Sequence, residues 1–464
     1  MELDVSYSLE NEQQFWDELE DIVTKKCDSH EVIDNALRTY LHFTTNFRDQ
    51  YLQSEDDVLR CTFKLLEACL YADHKEYVRR QLVYCLLQED DPPTLHIITA
   101  FLLFDGIHHD ETFEMMQTEG AFPRLIELIQ SPNLNSDFRL HRLLLRLLYE
   151  MSRIQPLTWE DLVAVDDAFV LHLFQIIEQL SDDVNDPYHY PVIRVLLVLN
   201  EQYMVMSTAS SQPLTNRVIK ALSTHGHLYK TFGENLILLL NRESETSLQL
   251  LILKLLYLLF QSPSTAEYFY TNDLHVLLDV VVRNLLDLPA DSAPATALRH
   301  TYLRVLHPLL ANSQIAKEGA HYKRDEVRKL LALLTDEGKL SGIHFAPVDD
   351  TTARLVRRCE AVAWLRDPKE PIADKATPQK DRARRQMLGM SVHDARQTGS
   401  SLSMAEMAAQ TERPGVVAPS RGERGRDKAG GETEGEKGER AEGDVVAMVG
   451  TGTGVTAARN GGGR

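Results

Sequence analysis

The chain has 464 residues, of which 43% are apolar, and its formal net charge is −20. The apolar share is large enough to build a sizeable core, which excludes a wholly disordered protein. The acidic balance disfavours nucleic acid and anionic lipid as partners, because both repel a negatively charged surface.

Cysteine usage and hydropathy disfavour a secreted or membrane-inserted protein. The cysteine count is odd and no pair is spaced as C-x-x-C, so free thiols in a reducing compartment are expected. The cysteines are Cys27, Cys61, Cys69, Cys85 and Cys359. The N-terminus lacks the pattern of a signal peptide. The most apolar run, residues 248–260, is shorter than the ~20 residues needed to span a bilayer and contains Lys254. We expect a cytoplasmic protein without membrane insertion.

The N-terminal region predicts successive amphipathic helices and no strand of useful length. Apolar residues recur there at the i, i+3/i+4, i+7 spacing of one helix face. The predicted faces are Phe15, Leu19, Ile22 and Val23; Leu59, Phe63, Leu66 and Leu70; and Val78, Leu82, Cys85 and Leu86. Ser54, which precedes three acidic residues, is typical of a helix N-terminus.

Residues 120–131, GAFPRLIELIQS, resemble the second helix of an armadillo repeat. Gly120 would end the preceding helix, Pro123 would lie in the first turn of the next, and paired leucines would face the core. A longer leucine-rich helix is predicted over residues 138–153. Downstream, Thr158 and Asp161 form a predicted capping box.

The same pair of a shorter and a longer helix recurs along the chain. The predicted pairs are 169–180 with 192–206, 233–241 with 248–260, and 274–288 with 298–310. Longer helices start roughly fifty residues apart, near the ~40–47 of armadillo and HEAT units. Each pair is too small to bury its own leucines, so stacking is required. The sequence therefore predicts an all-α, armadillo/HEAT-like helical solenoid.

Recognisable catalytic motifs are absent from the sequence, which predicts neither an enzyme, a cofactor nor a metal site. His108, His109 and Asp110 could be imagined as metal ligands, but adjacent histidines on a helix point in different directions. A loop or cap after Gly106 is the preferred interpretation. The segment 225–227, His-Gly-His, is interpreted as a turn.

Composition changes sharply near residue 370. Residues 371–464 contain no Phe, Tyr or Trp, only two leucines, Leu388 and Leu402, and sixteen of the 23 glycines. Such a segment cannot bury enough apolar surface to offset its ordering entropy. The prediction is a leucine-rich helical domain over residues 1–365, followed by a disordered Gly- and charge-rich tail over residues 366–464.

Five segments in the C-terminal half of the predicted solenoid carry a family resemblance. They are LQLLILKLLYLLF from Leu248, EYFYTNDL from Glu267, RNLLDLP from Arg283, LRHTYLRVL from Leu298 and YKR from Tyr322. Together they resemble the leucine-rich domain of the WISH/DIP family. That family includes an animal SH3 adaptor that interacts with Nck, and the fungal "low dye binding" proteins of cortical actin patches. No SH3 domain is visible here, so the resemblance is to the fungal form.

This resemblance implies a function that periodicity alone does not. Family members bind and activate the actin-related protein 2/3 complex without a pre-existing filament. They thereby seed linear actin filaments in cortical patches during endocytosis. The scaffold would act by binding the active arrangement of the complex more tightly than the inactive one. A generic armadillo-type adaptor without nucleation activity is the alternative.

Candidate partner-binding residues are taken from the family-like segments. They are Arg283, Asn284, Asp287, Arg299, His300, Arg304, His307, Tyr322, Lys323 and Arg324. His300, Arg304 and His307 form a predicted basic stripe at i, i+4 and i+7, opposite the apolar side of its helix. There it would face solvent or a partner. A solvated helix face is the competing interpretation.

Two further sequence features bear on the kind of partner. Pro368 and Pro371 form a minimal P-x-x-P that could bind an SH3 domain, although a simple end to the fold is the preferred interpretation. Armadillo adaptors for linear peptides usually display asparagines along their longer helices. Asn200 is the one asparagine inside those predicted here, which disfavours that mode.

Overall fold

The computed structural model describes residues 9–134, 137–180, 189–210, 212–289, 292–317, 319, 321–335 and 349–366. All of them lie in the first of two compact units, Met1–Ala418, and none lies in the second, Pro419–Arg464. Within these ranges the chain forms twenty α-helices and no strand. The predicted all-α solenoid is confirmed. The predicted tail, apart from Arg366, lies outside the described residues.

The helices follow one another with short connections. They are α1 Glu12–Val23, α2 His30–Asn46, α3 Arg48–Tyr51, α4 Glu55–Glu67, α5 Cys69–Ala72, α6 Lys75–Gln88, α7 Pro92–His108, α8 Asp110–Thr118, α9 Ala121–Gln130, α10 Phe138–Ile154, α11 Trp159–Ala164, α12 Asp167–Leu180, α13 His189–Ala209, α14 Arg217–His225, α15 Lys230–Arg242, α16 Thr246–Gln261, α17 Thr271–Asp287, α18 Ala293–Asn312, α19 Arg324–Leu333 and α20 Asp350–Glu360. Two 3-10 turns cover Gln314–Lys317 and Ala363–Leu365.

The long helices form one row through the solenoid. Helix α7 packs on α10, α10 on α13, α13 on α16, α16 on α18, and α18 on α20. The four predicted pairs correspond to α9 with α10, α12 with α13, α15 with α16, and α17 with α18. One continuous apolar core runs from Phe15 to Leu365. Stacking therefore buries leucines that no single pair of helices could bury.

Local signals at two predicted helix starts are confirmed. Gly120 precedes α9 with a φ of 76°, a left-handed conformation that glycine adopts without a Cβ clash. Thr158 accepts a hydrogen bond from the Asp161 amide, and Asp161 returns one to the backbone of Thr158, so the capping box before α11 is complete.

The predicted buried face of α4 is wrong by about one residue. Its fully buried positions are Val58, Cys61, Thr62 and Leu65, whereas the predicted Leu59, Phe63 and Leu66 are half-buried. Phe63 instead lies at the edge of the core, with its ring 6.1 Å from that of Phe104. Two apolar stripes lie side by side on this helix, and periodicity alone does not show which of them meets α7.

The solenoid extends beyond the last predicted repeat. Helices α19 and α20 follow α18, and α20 buries Thr352, Leu355, Val356 and Cys359. Because α20 packs along α18, it covers a side of α18 that the sequence analysis assigned to solvent.

Several expectations of chemistry can be compared with the described residues. All five cysteines are free thiols there. His109 lies at the N-terminus of α8, and residues 226–228 form a turn. Within the described ranges, no group of His, Cys, Asp and Glu side chains is arranged to hold a metal ion. None of the helices in these ranges is both long and apolar enough to span a membrane.

Two buried histidines predict a loss of stability in weak acid. Burial lowers the pKa of His96 and of His141 from 6.5 to about 4. As the pH falls below 6.5, the unfolded chain binds protons at these positions, whereas the folded chain does not until about pH 4. Folding stability is therefore lost across that window, by about 2 kcal/mol per histidine at pH 5.

The measurement is urea denaturation at pH 7 and pH 5. His141→Gln retains a donor for the Ile129 carbonyl, which lies 3.0 Å from His141 Nε2, and should reduce the difference between the two pH values. The exposed His42→Gln is the control and should leave the difference unchanged. Equal pH dependence in all three proteins would show that buried histidines do not cause the loss.

Candidate partner-binding surface

The exposed face of α17 is the most accessible part of the predicted site. Val276, Arg283, Leu286 and Asp287 recur along this helix at spacings that place them on one side. Val276 is 53% exposed and Leu286 is 52% exposed, while Arg283 and Asp287 are also open to solvent. A large apolar side chain that remains half exposed beside charged groups is available for contact with another protein.

Hydrogen bonds to neighbouring helices hold the base of this face. The Asn284 side-chain amide donates to the Tyr302 hydroxyl on α18, at 2.8 Å, and that hydroxyl donates to Gln249 Oε1 on α16, at 3.0 Å. The Arg283 guanidinium donates to the side-chain oxygen of Asn284 at 3.1 Å. Asn284 therefore positions the helix from inside, while Arg283 remains accessible.

The Tyr322–Lys323 pair lies against the same helix. Tyr322 stacks on His275 with ring centroids 3.9 Å apart, and its hydroxyl donates to Asp279 Oδ2 at 3.1 Å. Lys323 Nζ lies 2.9 Å from Asp279 Oδ1. The hydrogen bond to Asp279 and the added positive field hold the pKa of Lys323 above its usual value. These contacts extend the α17 face toward α19, so the structure brings Tyr322 and Lys323 together with Arg283 and Asp287 on one helix.

Two predicted contact residues instead bind backbone carbonyls of the chain itself. The Arg299 guanidinium donates to the carbonyl of Pro289 at 2.9 Å and closes the connection between α17 and α18. The Arg324 guanidinium donates to the carbonyls of Trp364, at 2.8 Å, and Arg366, at 2.8 Å. Both arginines hold the fold together, and their expected role as free donors to a partner is corrected accordingly.

The predicted basic stripe does not face solvent. His300 is 1% exposed, and its Nε2 lies 3.0 Å from Asp349 Oδ1 and 3.1 Å from Thr352 Oγ1, at the start of α20. Arg304 and His307 are half-buried in the seam between α18 and α20. The expectation of an open stripe is wrong because α20 covers this side of α18. Burial lowers the pKa of His300 and that of Arg304.

Some functional candidates were missed by the sequence analysis. Val276 and Leu286 read as ordinary core positions, because a run of apolar residues on α17 does not reveal which of them remain exposed. Arg354 and Arg358 lie on α20, a helix that was not predicted. Their i, i+4 spacing was a signal that could have found them. The predicted SH3 ligand, Pro368 and Pro371, lies outside the described residues.

Comparison with known proteins identifies the family. Residues 185–327 match the family model of the SPIN90/Ldb17 leucine-rich domain. These residues include the exposed face of α17. Protein dip1 of Schizosaccharomyces pombe is 31% identical over 368 residues, an alignment that covers 78% of this chain and 96% of dip1. The chain belongs to the SPIN90/Ldb17 family. Membership in it supports a role in actin function related to the actin-related protein 2/3 complex.

Two further SPIN90/Ldb17 relatives agree over a similar span. Protein LDB17 of Saccharomyces cerevisiae is 28% identical over 426 residues, covering 79% of this chain and 84% of that protein. Protein LDB17 of Eremothecium gossypii is also 28% identical, over 398 residues, covering 78% and 84%. An engineered protein of known structure aligns with 61% of the chain at 16% identity and a TM-score of 0.33, a likeness too low to bear on the fold.

Proposed function

We propose that this chain binds the actin-related protein 2/3 complex and activates it without a preformed filament, thereby seeding linear actin filaments. The observation that carries the proposal is family membership over most of the chain, including 96% of the length of dip1. The chain performs no catalysis in this proposal. It binds the active arrangement of the complex more tightly than the inactive one, and the binding energy shifts the equilibrium between them.

The exposed face of α17 is the proposed contact surface. It combines two half-exposed apolar residues, Val276 and Leu286, with Arg283 and Asp287 at its edge, a composition that suits a protein interface. Asn284 holds the helix rigidly from inside, so little ordering is required on binding. The face lies within the residues that match the family model.

Val276→Asp tests this surface. In an assay with monomeric actin and purified complex, and with no added filaments, the full chain is expected to accelerate polymerisation. Val276→Asp places a charge in the centre of the proposed interface and should shift the concentration dependence by about tenfold or more, the usual effect of losing a central apolar contact. The readout is fluorescence of labelled actin over time, at several concentrations of the chain.

The chain offers a control with the same substitution. Val163 on α11 is 44% exposed and lies outside the residues that match the family model, so Val163→Asp makes a similar surface change elsewhere. It should leave the concentration dependence unchanged. Equal loss in both variants, or no loss in Val276→Asp with melting unchanged, would exclude the α17 face. No acceleration by the parent chain would favour the adaptor alternative.

We further propose that the activity operates in the cytoplasm, at cortical actin patches, during endocytosis. The support is the family to which the chain belongs. Recruitment through an SH3 domain at Pro368 and Pro371 remains a separate proposal. Replacing both prolines with alanine should then abolish patch recruitment while polymerisation in the purified assay stays unchanged.

A further inference from the structure

The seam between α18 and α20 has a defined register. Thr352 Oγ1 lies 3.1 Å from His300 Nε2, Cys359 Sγ lies 3.6 Å from the Leu303 carbonyl oxygen, and the indole nitrogen of Trp364 donates to the Leu310 carbonyl at 2.8 Å. Contacts thus advance along both helices in the same direction, so the two helices run parallel. Arg354 and Arg358 of α20 consequently flank Arg304 of α18.

Three guanidinium groups gather in this seam without a partner. Arg304, Arg354 and Arg358 have neither an ion pair nor a hydrogen bond in the part of the chain that the structure describes. Burial lowers the pKa of Arg304, and the charges of Arg354 and Arg358 lower it further. The nearest acidic group at the seam, Asp349, is already engaged by His300 and Thr352.

The polar groups around the arginines are also incompletely satisfied. His307 lies beside Arg358, and its Nδ1 is buried without a hydrogen-bond partner in the described ranges. Tyr257 of α16 lies near Arg304 and is half-buried. In a chain with a net charge of −20, most cations are expected to find a carboxylate. Like charges gathered in a shielded seam destabilise the fold, which is the usual signature of a site that an anionic ligand completes.

We propose that the seam between α18 and α20 binds an extended acidic segment of a partner protein, with its carboxylates on Arg304, Arg354 and Arg358. A guanidinium presents a planar fork that a carboxylate can fill with two hydrogen bonds. Long polyanions such as nucleic acid are disfavoured, because the rest of the chain repels them.

Helix geometry specifies the spacing of the acidic residues. Arg354 and Arg358 are one turn apart on α20, a rise of about 6 Å at 1.5 Å per residue. Alternate residues of an extended strand are separated by about 6.6 Å. A segment with acidic residues at alternate positions would therefore present one carboxylate to each of these two arginines. Arg304, recessed between them, would receive a contact from either carboxylate.

The test measures binding of a labelled peptide that alternates Glu with Ser, by fluorescence polarisation, to the full chain. The parent is expected to bind this peptide but not the matching peptide that alternates Gln with Ser. Arg354→Glu should weaken binding by about tenfold or more, because the new carboxylate occupies Arg304 internally. Arg357→Glu changes the net charge equally on the exposed side of α20 and should retain binding.

A second variant separates binding from folding. Arg304→Met keeps the aliphatic stem and removes the shielded charge, so it should abolish peptide binding while the melting temperature stays the same or rises. A fall in melting temperature would show that Arg304 stabilises the fold, and would overturn the proposal. Equal weakening by Arg357→Glu, or displacement of the peptide by equimolar inorganic phosphate, would overturn it too. No actin or actin-related complex is present, so failure here leaves the proposed function untouched.

Discussion

Leu253→Asp is expected to abolish folding of the helical domain. Leu253 is fully buried in α16, whose buried positions occur on almost every side of the helix. Helix α16 packs on both α13 and α18, so an unpaired carboxylate at this position cannot reach water without separating the row. Burying such a charge costs several kcal/mol, comparable with the ~5–15 kcal/mol that stabilises a whole domain.

The measurement is helical content and thermal melting by circular dichroism. The parent should melt cooperatively, whereas Leu253→Asp should lack a cooperative transition or be recovered only as aggregate. Leu286→Asp is the control, because it makes the same change at a residue that is 52% exposed, and its melting should change little. A soluble Leu253→Asp protein that melts like the parent would show that α16 is not central to the fold.

Asp105→Ala is expected to destabilise the domain by about 3–5 kcal/mol, because it leaves a buried arginine unpaired. Asp105 is fully buried, and its Oδ2 lies 2.7 Å from Arg79 Nε. The Tyr71 hydroxyl donates to Oδ1 at 2.6 Å, and the Thr112 hydroxyl also donates to this carboxylate. Burial opposes ionisation, but these donors outweigh it and hold the pKa of Asp105 below its usual value.

A double-mutant cycle identifies the cause of that loss. Asp105→Leu combined with Arg79→Met replaces the buried pair with apolar side chains and should recover much of the stability lost in Asp105→Ala. Urea denaturation of the parent, the single variants and the double variant gives the coupling free energy. Losses that simply add, with no recovery in the double variant, would show that Arg79 and Asp105 contribute independently.

The long helices could be predicted because their signal is local. Leucines at helical spacing over residues 138–153 and 248–260 indicate both the type of element and its buried side, and stacking follows from the width of that side. The start of α9 was likewise visible in Gly120 and Pro123. The face of α4 was not, since the choice between two adjacent apolar stripes depends on what packs there.

The candidate site was harder to predict because it depends on contacts between distant segments. Helix α20 has few apolar residues, and it contacts α18 from about fifty residues further along the chain, as in the His300–Thr352 contact. Nothing near Arg304 in sequence announces that a helix will cover it. Arg299 and Arg324 presented the same difficulty. Their carbonyl partners at Pro289 and Trp364 turn apparent surface charges into internal braces.

The Asp105 network shows what a single residue can still reveal. The sequence analysis considered His108, His109 and Asp110 as possible ligands and did not select Asp105. A lone carboxylate inside the apolar run of α7 is costly to bury unless it is paired, and that cost was a usable signal. The network ties α5, α6, α7 and α8 together, so its role is structural.

The central claim is that this chain activates the actin-related protein 2/3 complex without a preformed filament. Its most direct test is single-filament fluorescence microscopy of labelled actin with the labelled complex, in the presence and absence of the full chain. The account predicts that the chain increases the number of new linear filaments, each with one complex at a single end. Filaments that appear at the rate of actin alone, or complexes found only at branches on existing filaments, would contradict it.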